Sequence, residues 1–325
     1  MAWDAIVGQE LVKRIWRTHL SAGTVANAYL LVGPDGVGKR RLALELAKTL
    51  NCLAQDEQQR PCEVCSTCSQ ITRQIHPDVH TISPSGASNQ IKIEDIRQLI
   101  SRLALRPFNA RLQVAIIDGA DRFTEEAANS LLKVLEEPPT YSRFVLTTSQ
   151  LVHCLPTIVS RCQLLHCQPL SAEAVRRMLI ESHSIEPNVA QTVAQLCGGS
   201  AAHALELAGR WAEYQQTLAR FANDDASAWL TRPLAETRQD VIHVLDGMLS
   251  WLRDLVVVAS GSPDRVAHAA YAESLRQQAG AVDLDRCLDT ALELVGLRES
   301  AEQFVSPRLV AALAREKWLS LISDL

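Results

Sequence analysis

Residues 29–40 read YLLVGPDGVGKR, and an amphipathic stretch from Arg41 to Leu50 follows them. An apolar run, a glycine-rich turn and a helix in this order are the context that a phosphate-binding loop requires. Such a loop brings backbone amides and the positive end of a helix dipole close to phosphate oxygens. The stretch therefore predicts a strand, a phosphate-binding loop and a helix within an α/β domain.

The candidate nucleotide-binding residues of this loop are Gly33, Gly36, Gly38 and Lys39, of which Lys39 would supply a positive charge. Arg40 stands where loops of this kind carry a Ser or Thr hydroxyl that binds Mg²⁺, and a guanidinium cannot bind a cation. The loop is thus compatible with binding of ATP or ADP, which the sequence leaves open, and it disfavours hydrolysis.

A second apolar run, residues 114–117, ends in Asp118 and is typical of a buried strand in a parallel sheet. Asp118 is therefore a further candidate in the nucleotide site. Gly119 follows it, whereas active ATPases of this type have a Glu there that polarises the attacking water. Asp121 is a poor substitute, so this strand also argues against hydrolysis.

Four cysteines lie close together in the chain: Cys52, Cys62, Cys65 and Cys68. Thiolates at these spacings in a polar loop match a closed tetrahedral Zn²⁺ site, which has no open position for a substrate. We therefore expect a structural zinc module at about residues 51–70. A redox relay built on the C-x-x-C pairs is the alternative.

The composition restricts the class of protein. The chain has 325 residues, 47% of them hydrophobic and 21% charged, and a formal net charge of −5. The length predicts two or three domains, and the charge disfavours a domain that grips nucleic acid through a large excess of basic residues. No apolar run approaches the ~20 residues that span a bilayer, and the start lacks the features of a secretory signal. We expect a cytoplasmic protein with no membrane partner.

Three further segments complete a pattern of motifs. NSLLKVLEEPP at 129–139 is a helix stopped by a proline pair, FVLTT at 144–148 is another buried strand, and LPTIVSRC at 155–162 follows it. With VGQE at 7–10, these motifs resemble the clamp-loader branch of the AAA+ ATPases over residues 1–168. The four-cysteine insertion is similar to that of the bacterial DNA polymerase III clamp loader. The resemblance implies a P-loop AAA+ domain, a parallel sheet with helices on both faces.

The rest of the chain is helical in pattern. The resemblance implies a small helical lid at 169–208 and an all-α collar at 209–325, through which clamp-loader subunits assemble. The apolar stripe in residues 241–258 indicates helix packing. On periodicity alone, this C-terminal part is equally a free-standing helical bundle.

The Ser-Arg-Cys motif contains the candidate catalytic residue Arg161. Within the family, this arginine acts in trans on ATP bound by the adjacent subunit, where a planar, permanent charge stabilises the transferring phosphoryl group. The family's ATP-hydrolysing motor carries Thr, Glu and a nucleotide-sensing Arg at the positions of Arg40, Gly119 and Ala202. This chain lacks all three residues but retains Arg161. In this respect it resembles the clamp loader's non-hydrolysing subunit.

The resemblance therefore implies a largely non-hydrolysing stator that works beside gamma/tau and delta subunits in loading the sliding clamp on primed DNA. An ATP-hydrolysing motor subunit of the gamma/tau kind is the first alternative, and turnover by the isolated chain would favour it. A zinc-containing DNA-binding module with a vestigial nucleotide fold is the second. Salt-dependent DNA binding by the chain alone would favour that reading.

Overall fold

A five-stranded parallel sheet forms the centre of the N-terminal part of the chain. Its strands are β1 Ala28–Val32, β2 Val79–Ile82, β3 Gln113–Asp118, β4 Ser142–Thr148 and β5 Gln163–His166. They lie in the spatial order β2-β3-β4-β1-β5, and every neighbouring pair is parallel. The structure is a computed structural model that describes residue 3 and residues 6–86, 88–223, 229–230, 237–302 and 305–322.

Helices make up most of the remaining structure, and no strand follows β5 in the described part of the chain. The helices are α1 Glu10–Ser21, α2 Lys39–Asn51, α3 Ser66–Thr72, α4 Ile93–Leu103, α5 Glu125–Glu136, α6 Pro156–Val159, α7 Ala172–His183, α8 Pro187–Leu196, α9 Ala201–Gly209, α10 Trp211–Asn223, α11 Arg238–Ala259, α12 Ala272–Ala279, α13 Leu284–Glu302 and α14 Pro307–Ile322. The prediction of a helical C-terminal part is confirmed.

The period-two alternation of a strand divides the core of the sheet into two layers. Along β1, Leu30 packs in one apolar cluster with Leu131 of α5, while Leu31 packs in another with Leu42 of α2. All four of these leucine side chains are fully buried. Helices therefore cover both faces of the sheet, as predicted for an AAA+ fold.

Local signals set the ends of α5, the helix that precedes the Ser-Arg-Cys motif. The Thr124 hydroxyl accepts a hydrogen bond from the Ala127 amide at 3.3 Å and caps the first turn. The helix ends at Glu136, just before the proline pair at 138–139, which cannot continue it. The cap and the prolines thus place the Glu136 carboxylate at the C-terminal end of α5.

The chain forms two compact units. Residues 1–183 together with 197–204 make the first, and residues 184–196 together with 205–325 make the second. The first contains the sheet and all of the candidate site residues. The three-domain division drawn from the sequence stays a prediction.

Aromatic side chains fill the core of the second unit. Phe221 lies with its ring centroid 4.8 Å from that of Trp318 and 5.9 Å from that of Trp251, and it stacks on Trp229 at 5.4 Å. These three tryptophans are almost completely buried. In the parts of the chain that the structure describes, none of the helices has the length and apolar character needed to cross a bilayer.

Candidate functional site

The phosphate loop joins β1 to α2, and its backbone requires glycine at three positions. Gly36 and Gly38 have φ angles of +76° and +98°, which residues with a side chain rarely adopt. A Cβ atom on Gly33 would lie 2.2 Å from the carbonyl oxygen of Cys167. The loop conformation alone therefore accounts for all three glycines, and their role in nucleotide binding stays a prediction.

Lys39 is 7% exposed, and the loop itself holds its ammonium group. Nζ donates to the carbonyl oxygens of Gly33 at 2.6 Å and Pro34 at 2.8 Å, and it lies 3.4 Å from Oδ1 of Asp35. These bonds use the donors that a phosphate group would need. A nucleotide could engage Lys39 only after these hydrogen bonds were exchanged.

The N-terminus of α9 contacts the same loop at Gly36. The Gly36 carbonyl accepts hydrogen bonds from the amides of Ala201 at 2.9 Å and Ala202 at 3.3 Å. A Cβ atom on Gly36 would lie only 2.0 Å from Oγ of Ser200. Free amides at a helix N-terminus suit an anion, but a carbonyl of the loop occupies these two. Ala202, at the predicted sensing position, therefore meets the loop without a charge.

Two carboxylates, one at the end of β3 and one three residues beyond it, are bound to threonines at the end of β4. The Thr147 hydroxyl donates to Asp118 at 2.5 Å, and the Thr148 hydroxyl donates to Asp121 at 2.7 Å. Together with Lys39 these side chains line a cavity of about 150 Å³. Small-molecule sites usually measure about 300–1,000 Å³, so this space is small for a nucleotide.

Gly119 and Arg40, the two departures from the ATPase motifs, have different structural settings. Gly119 has a φ of +85°, and a Cβ atom there would lie 3.1 Å from Pro84, so a glutamate would be strained. The Arg40 guanidinium donates to Oε1 of Gln74 at 2.6 Å. Neither Arg40 nor Gln74 lines the small cavity beside Lys39. The backbone conformation disfavours the missing glutamate, whereas the missing hydroxyl reflects the side chain at position 40 alone.

Gln9, from the VGQE segment, ties the loop to the end of β5. Its Nε2 donates to the carbonyl oxygens of Val37 at 3.2 Å and Gln168 at 2.7 Å, and its Oε1 accepts from the Gln168 amide at 3.0 Å. The side chain is 8% exposed. Gln9 is therefore a positioning residue for the loop, and residue spacing alone does not reveal this contact.

Arg161 follows α6, and neighbouring groups orient its guanidinium. Nη1 donates to the Thr157 carbonyl at 3.0 Å and to the Ser160 hydroxyl at 3.3 Å, and Nη2 donates to Glu136 at 2.5 Å. The side chain remains 34% exposed. Sequence reasoning missed Glu136, because 25 residues separate it from Arg161 and neither periodicity nor spacing links them.

The four predicted metal ligands come together. Their Sγ atoms all lie within 4.8 Å of one another, and no other such group of metal-binding side chains occurs among the described residues. A tetrahedral site with Zn–S bonds of about 2.3 Å needs sulfur atoms about 3.8 Å apart, so a small contraction would close the site. The cluster could hold one metal ion. Its members are Cys52, Cys62, Cys65 and Cys68.

Backbone amides already point at these sulfur atoms. The Cys62 amide donates to Cys52 at 3.3 Å, the Cys65 amide to Cys62 at 3.4 Å, and the Cys68 amide to Cys65 at 3.4 Å. Hydrogen bonds of this kind favour the charged thiolate, the form that binds metal. The chemistry of the donor set therefore fits a structural Zn²⁺ site.

A buried ion pair joins the cysteine loop to α2. Lys48 Nζ donates to Glu45 at 2.7 Å and to both carboxylate oxygens of Glu63 at 2.9 Å. Burial alone would lower the pKa of Lys48, but the hydrogen bonds to these carboxylates outweigh it and raise that pKa. Glu63 lies between two of the cysteines, so this pair fixes the position of the metal loop.

Lys48→Met is expected to destabilise the first unit by about 3–5 kcal/mol, because it leaves the Glu45 carboxylate buried without its cation. It should also speed loss of the bound metal to a chelator. Chemical denaturation and metal-release kinetics measure the two effects. Lys133→Met, at an exposed position of α5, is the matched control. Equal stability and equal metal release in the two variants would contradict the role given to Lys48.

Comparison with known proteins places the chain in a family. The model of the family described as DNA polymerase III, delta subunit, matches residues 8–171. The chain belongs to this family. DNA polymerase III subunit delta′ of Bacillus subtilis is 32% identical over 288 residues, which cover 83% of this chain and 84% of that protein. The prediction of a DNA polymerase III clamp-loader subunit is confirmed.

The tau subunits of DNA polymerase III are also related to this chain. That of Escherichia coli is 36% identical over 207 residues, which cover 62% of this chain but 32% of that protein. The chain thus spans about a third of the length of tau. Family membership does not by itself separate the motor from the non-hydrolysing subunit, so that distinction depends on the site.

Proposed function

We propose that the chain is the delta prime-like stator of a bacterial DNA polymerase III clamp loader and hydrolyses little or no ATP itself. Arg161 acts in trans on ATP bound by a neighbouring gamma/tau subunit. The delta subunit, the sliding clamp and primed DNA are the other partners. The complex works in the cytoplasm.

The state of the phosphate loop is the observation that carries this proposal. The ammonium group of Lys39 is bound to loop carbonyls, and the Gly36 carbonyl is bound to the amides that begin α9. Gly119 has a backbone conformation that disfavours the catalytic glutamate. These contacts support a subunit whose own site hydrolyses little or no ATP.

Arg161 retains hydrogen-bonding capacity for a partner's ATP. A guanidinium has five N–H donors, and the contacts with Thr157, Ser160 and Glu136 use three of them. The remaining donors stay available for a phosphoryl oxygen of a neighbouring subunit's ATP, while Glu136 keeps the fork oriented. A pre-oriented charge loses less freedom when the transition state forms, which is the condition for effective electrostatic catalysis.

The metal of the four-cysteine cluster is proposed to be Zn²⁺ in a structural role. Four thiolate ligands leave no coordination position for a substrate, so the ion would hold the loop between α2 and α3 in one conformation. The Lys48–Glu63 pair would then attach this loop to the helix that begins at the phosphate loop.

The test is ATP hydrolysis by the purified chain, alone and assembled with gamma/tau and delta subunits from the same organism. We expect the isolated chain to turn over far more slowly than ~1 s⁻¹, the low end of typical enzymes. We expect the assembly to be stimulated by the clamp and primed DNA. The triple variant Arg40→Thr, Gly119→Glu, Ala202→Arg should remain inactive alone, because residue 119 cannot accept a side chain without strain.

Two outcomes would overturn this proposal. Turnover near ~1 s⁻¹ by the isolated chain would favour the motor subunit. Salt-dependent DNA binding by the chain alone, without assembly, would favour the DNA-binding module.

A further inference from the structure

A groove follows the edge strand β2 and shares no residue with the phosphate loop, the metal cluster or Arg161. Among the described residues, β2 pairs with β3 alone. A cavity of about 810 Å³ lies along it, far larger than the space beside Lys39. We call it the edge groove. It is defined by the lining residues Ile75, His76, Thr81, Arg102, Leu105 and Phe108.

The backbone of β2 offers unused hydrogen-bonding groups to the edge groove. The Val114 amide of β3 donates to the Asp78 carbonyl at 2.9 Å. Because amide directions alternate along a strand, the N–H and C=O groups of Thr81 point to the opposite, open side. An edge of this kind is a template for another extended chain.

Exposed apolar side chains line the same groove. Ile75 is 65% exposed, Leu105 66% and Phe108 79%. Single exposed apolar residues are ordinary, but several around one concave surface indicate an interaction site. Burial of these side chains by a partner would remove them from water and favour binding.

Hydrogen bonds to the buried Asp78 carboxylate fix the loop that carries Phe108. The Asp78 carboxylate accepts hydrogen bonds from the backbone amides of Phe108 at 2.7 Å, Asn109 at 2.8 Å and Ala110 at 2.9 Å. Bonds to a charged acceptor are stronger than neutral ones. The aromatic ring is therefore presented on an ordered loop, which lowers the entropy cost of docking.

The charges in the groove favour an acidic occupant. Arg102 and Arg106 both line it, and neither has a carboxylate partner within the described ranges. The two nearby acids are already engaged, since Asp78 binds three amides and Asp95 accepts from the Lys92 amide at 3.2 Å. Both carboxylates keep their charge, but Asp78 is buried and Asp95 is bound to a backbone amide of its own helix start. The exposed charged groups that an occupant could pair with are therefore the two arginines.

A buried histidine adds an unused donor. His76 is 4% exposed, and its Nδ1 accepts a hydrogen bond from the Asp78 amide at 3.1 Å. The proton of the neutral ring therefore lies on Nε2, which is buried and has no partner among the described residues. Because Nε2 is closed off from solvent, an oxygen of an occupant would satisfy it only after the groove opened slightly.

We propose that the edge groove binds an extended, acidic peptide segment of a partner protein, which adds to the sheet as a strand beside β2. Main-chain hydrogen bonds to Thr81 supply affinity, and alternate side chains supply specificity. Its apolar residues pack on Ile75, Leu105 and Phe108, and its carboxylates pair with Arg102 and Arg106. Nucleic acid fits less well, since two of the three exposed apolar side chains are aliphatic and cannot stack on bases.

The test measures binding of labelled peptides to the full chain by fluorescence anisotropy. The probe is a fluorescein-labelled twelve-residue peptide in which Val alternates with Glu. A peptide with Lys in place of Glu and a twelve-nucleotide single strand of DNA are the comparison probes. We expect the Kd of the acidic peptide to be at least about tenfold lower than that of either comparison probe.

Peptides with methylated amides test the strand addition itself. One carries N-methyl groups on the odd residues and the other on the even residues. Only one set of amides can face β2, so one peptide should lose at least about tenfold in affinity while the other keeps it. The Thr81 amide should also exchange its hydrogen more slowly when the unmethylated peptide is bound.

Two protein variants test the side chains. Arg102→Glu should reverse the preference between the acidic and basic peptides, and Phe108→Ser should weaken both. Arg97→Glu, on the same helix but outside the groove, and Val152→Ser, at another exposed apolar residue, are the matched controls. Equal loss with both methylated peptides, no effect of Arg102→Glu, tighter binding of DNA, or no binding of the acidic peptide would each overturn the proposal.

Discussion

An Arg161→Ala variant of the assembled loader is expected to hydrolyse ATP about 10³–10⁵-fold more slowly at the one site that this arginine is proposed to serve. Alanine removes the planar charge that would stabilise the transferring phosphoryl group. The loss measured over the whole complex should be smaller if other subunits keep arginines of their own, since only one of several ATP sites would be affected. Single-turnover hydrolysis by the assembled complex, with clamp and primed DNA present, measures the effect.

The isolated chain should be almost unaffected by the same substitution. The Arg161–Glu136 pair is partly exposed on both sides, and pairs of this kind contribute at most about 1 kcal/mol to the free energy of unfolding. Arg161→Lys should restore little activity, because a point charge cannot reproduce the fork. Arg14→Ala, at an exposed position of α1, is the matched control. A mutant complex that assembles normally, by size-exclusion chromatography, and keeps full clamp-stimulated ATPase would contradict the trans mechanism.

Cys65→Ser is expected to reduce the zinc content from the one ion per chain that we propose to none, because it removes one of the four thiolate ligands of a structural site. Structural zinc sites contribute an apparent binding free energy of about 10–16 kcal/mol in small domains. Residues 51–70 should therefore lose their fixed conformation and become sensitive to proteases. The sheet should survive, since this loop lies between α2 and β2 and contributes no strand. Metal analysis and limited proteolysis of freshly reduced protein check both effects.

Cys154→Ser is the matched control, because Cys154 is also a buried free thiol but lies outside the cluster. It should keep its full zinc content. Stoichiometric zinc in the Cys65→Ser protein would contradict the ligand assignment. Reduced wild-type protein that contains no metal and forms disulfides between these cysteines would instead support the redox alternative.

The spacing of residues was enough to predict the sheet and the cysteine cluster. Buried parallel strands are continuous apolar runs, so residues 29–32 and 114–117 could be recognised without any knowledge of their neighbours. The four cysteines lie within seventeen consecutive residues, from 52 to 68, so the loop between them is short enough to bring them together. Both signals are local, and local signals survive in a single sequence.

Contacts between distant residues could not be predicted in this way. Glu136 meets Arg161 across 25 residues, and Glu63 meets Lys48 across 15, and neither pair shares a helix face or a motif. The edge groove depends on which strand lies at the edge of the sheet. The hydrophobic periodicity of a single strand does not predict the order of the strands. These features arise from how the elements pack.

By itself the sequence determined the strand, phosphate loop and helix, the candidate metal ligands and the residues missing from the ATPase motifs, because each depends on residue type and short spacing. The helices on both faces of the sheet were implied by the resemblance to the AAA+ family. The tertiary structure alone decided that Lys39 donates hydrogen bonds to carbonyls of its own loop. It also decided that the Gly36 carbonyl accepts hydrogen bonds from the amides at the start of α9. It also decided that residue 119 cannot carry a side chain without strain. A phosphate loop is recognised by its glycines, but whether its donors are free depends on backbone angles and on groups that folding brings from more than 150 residues away.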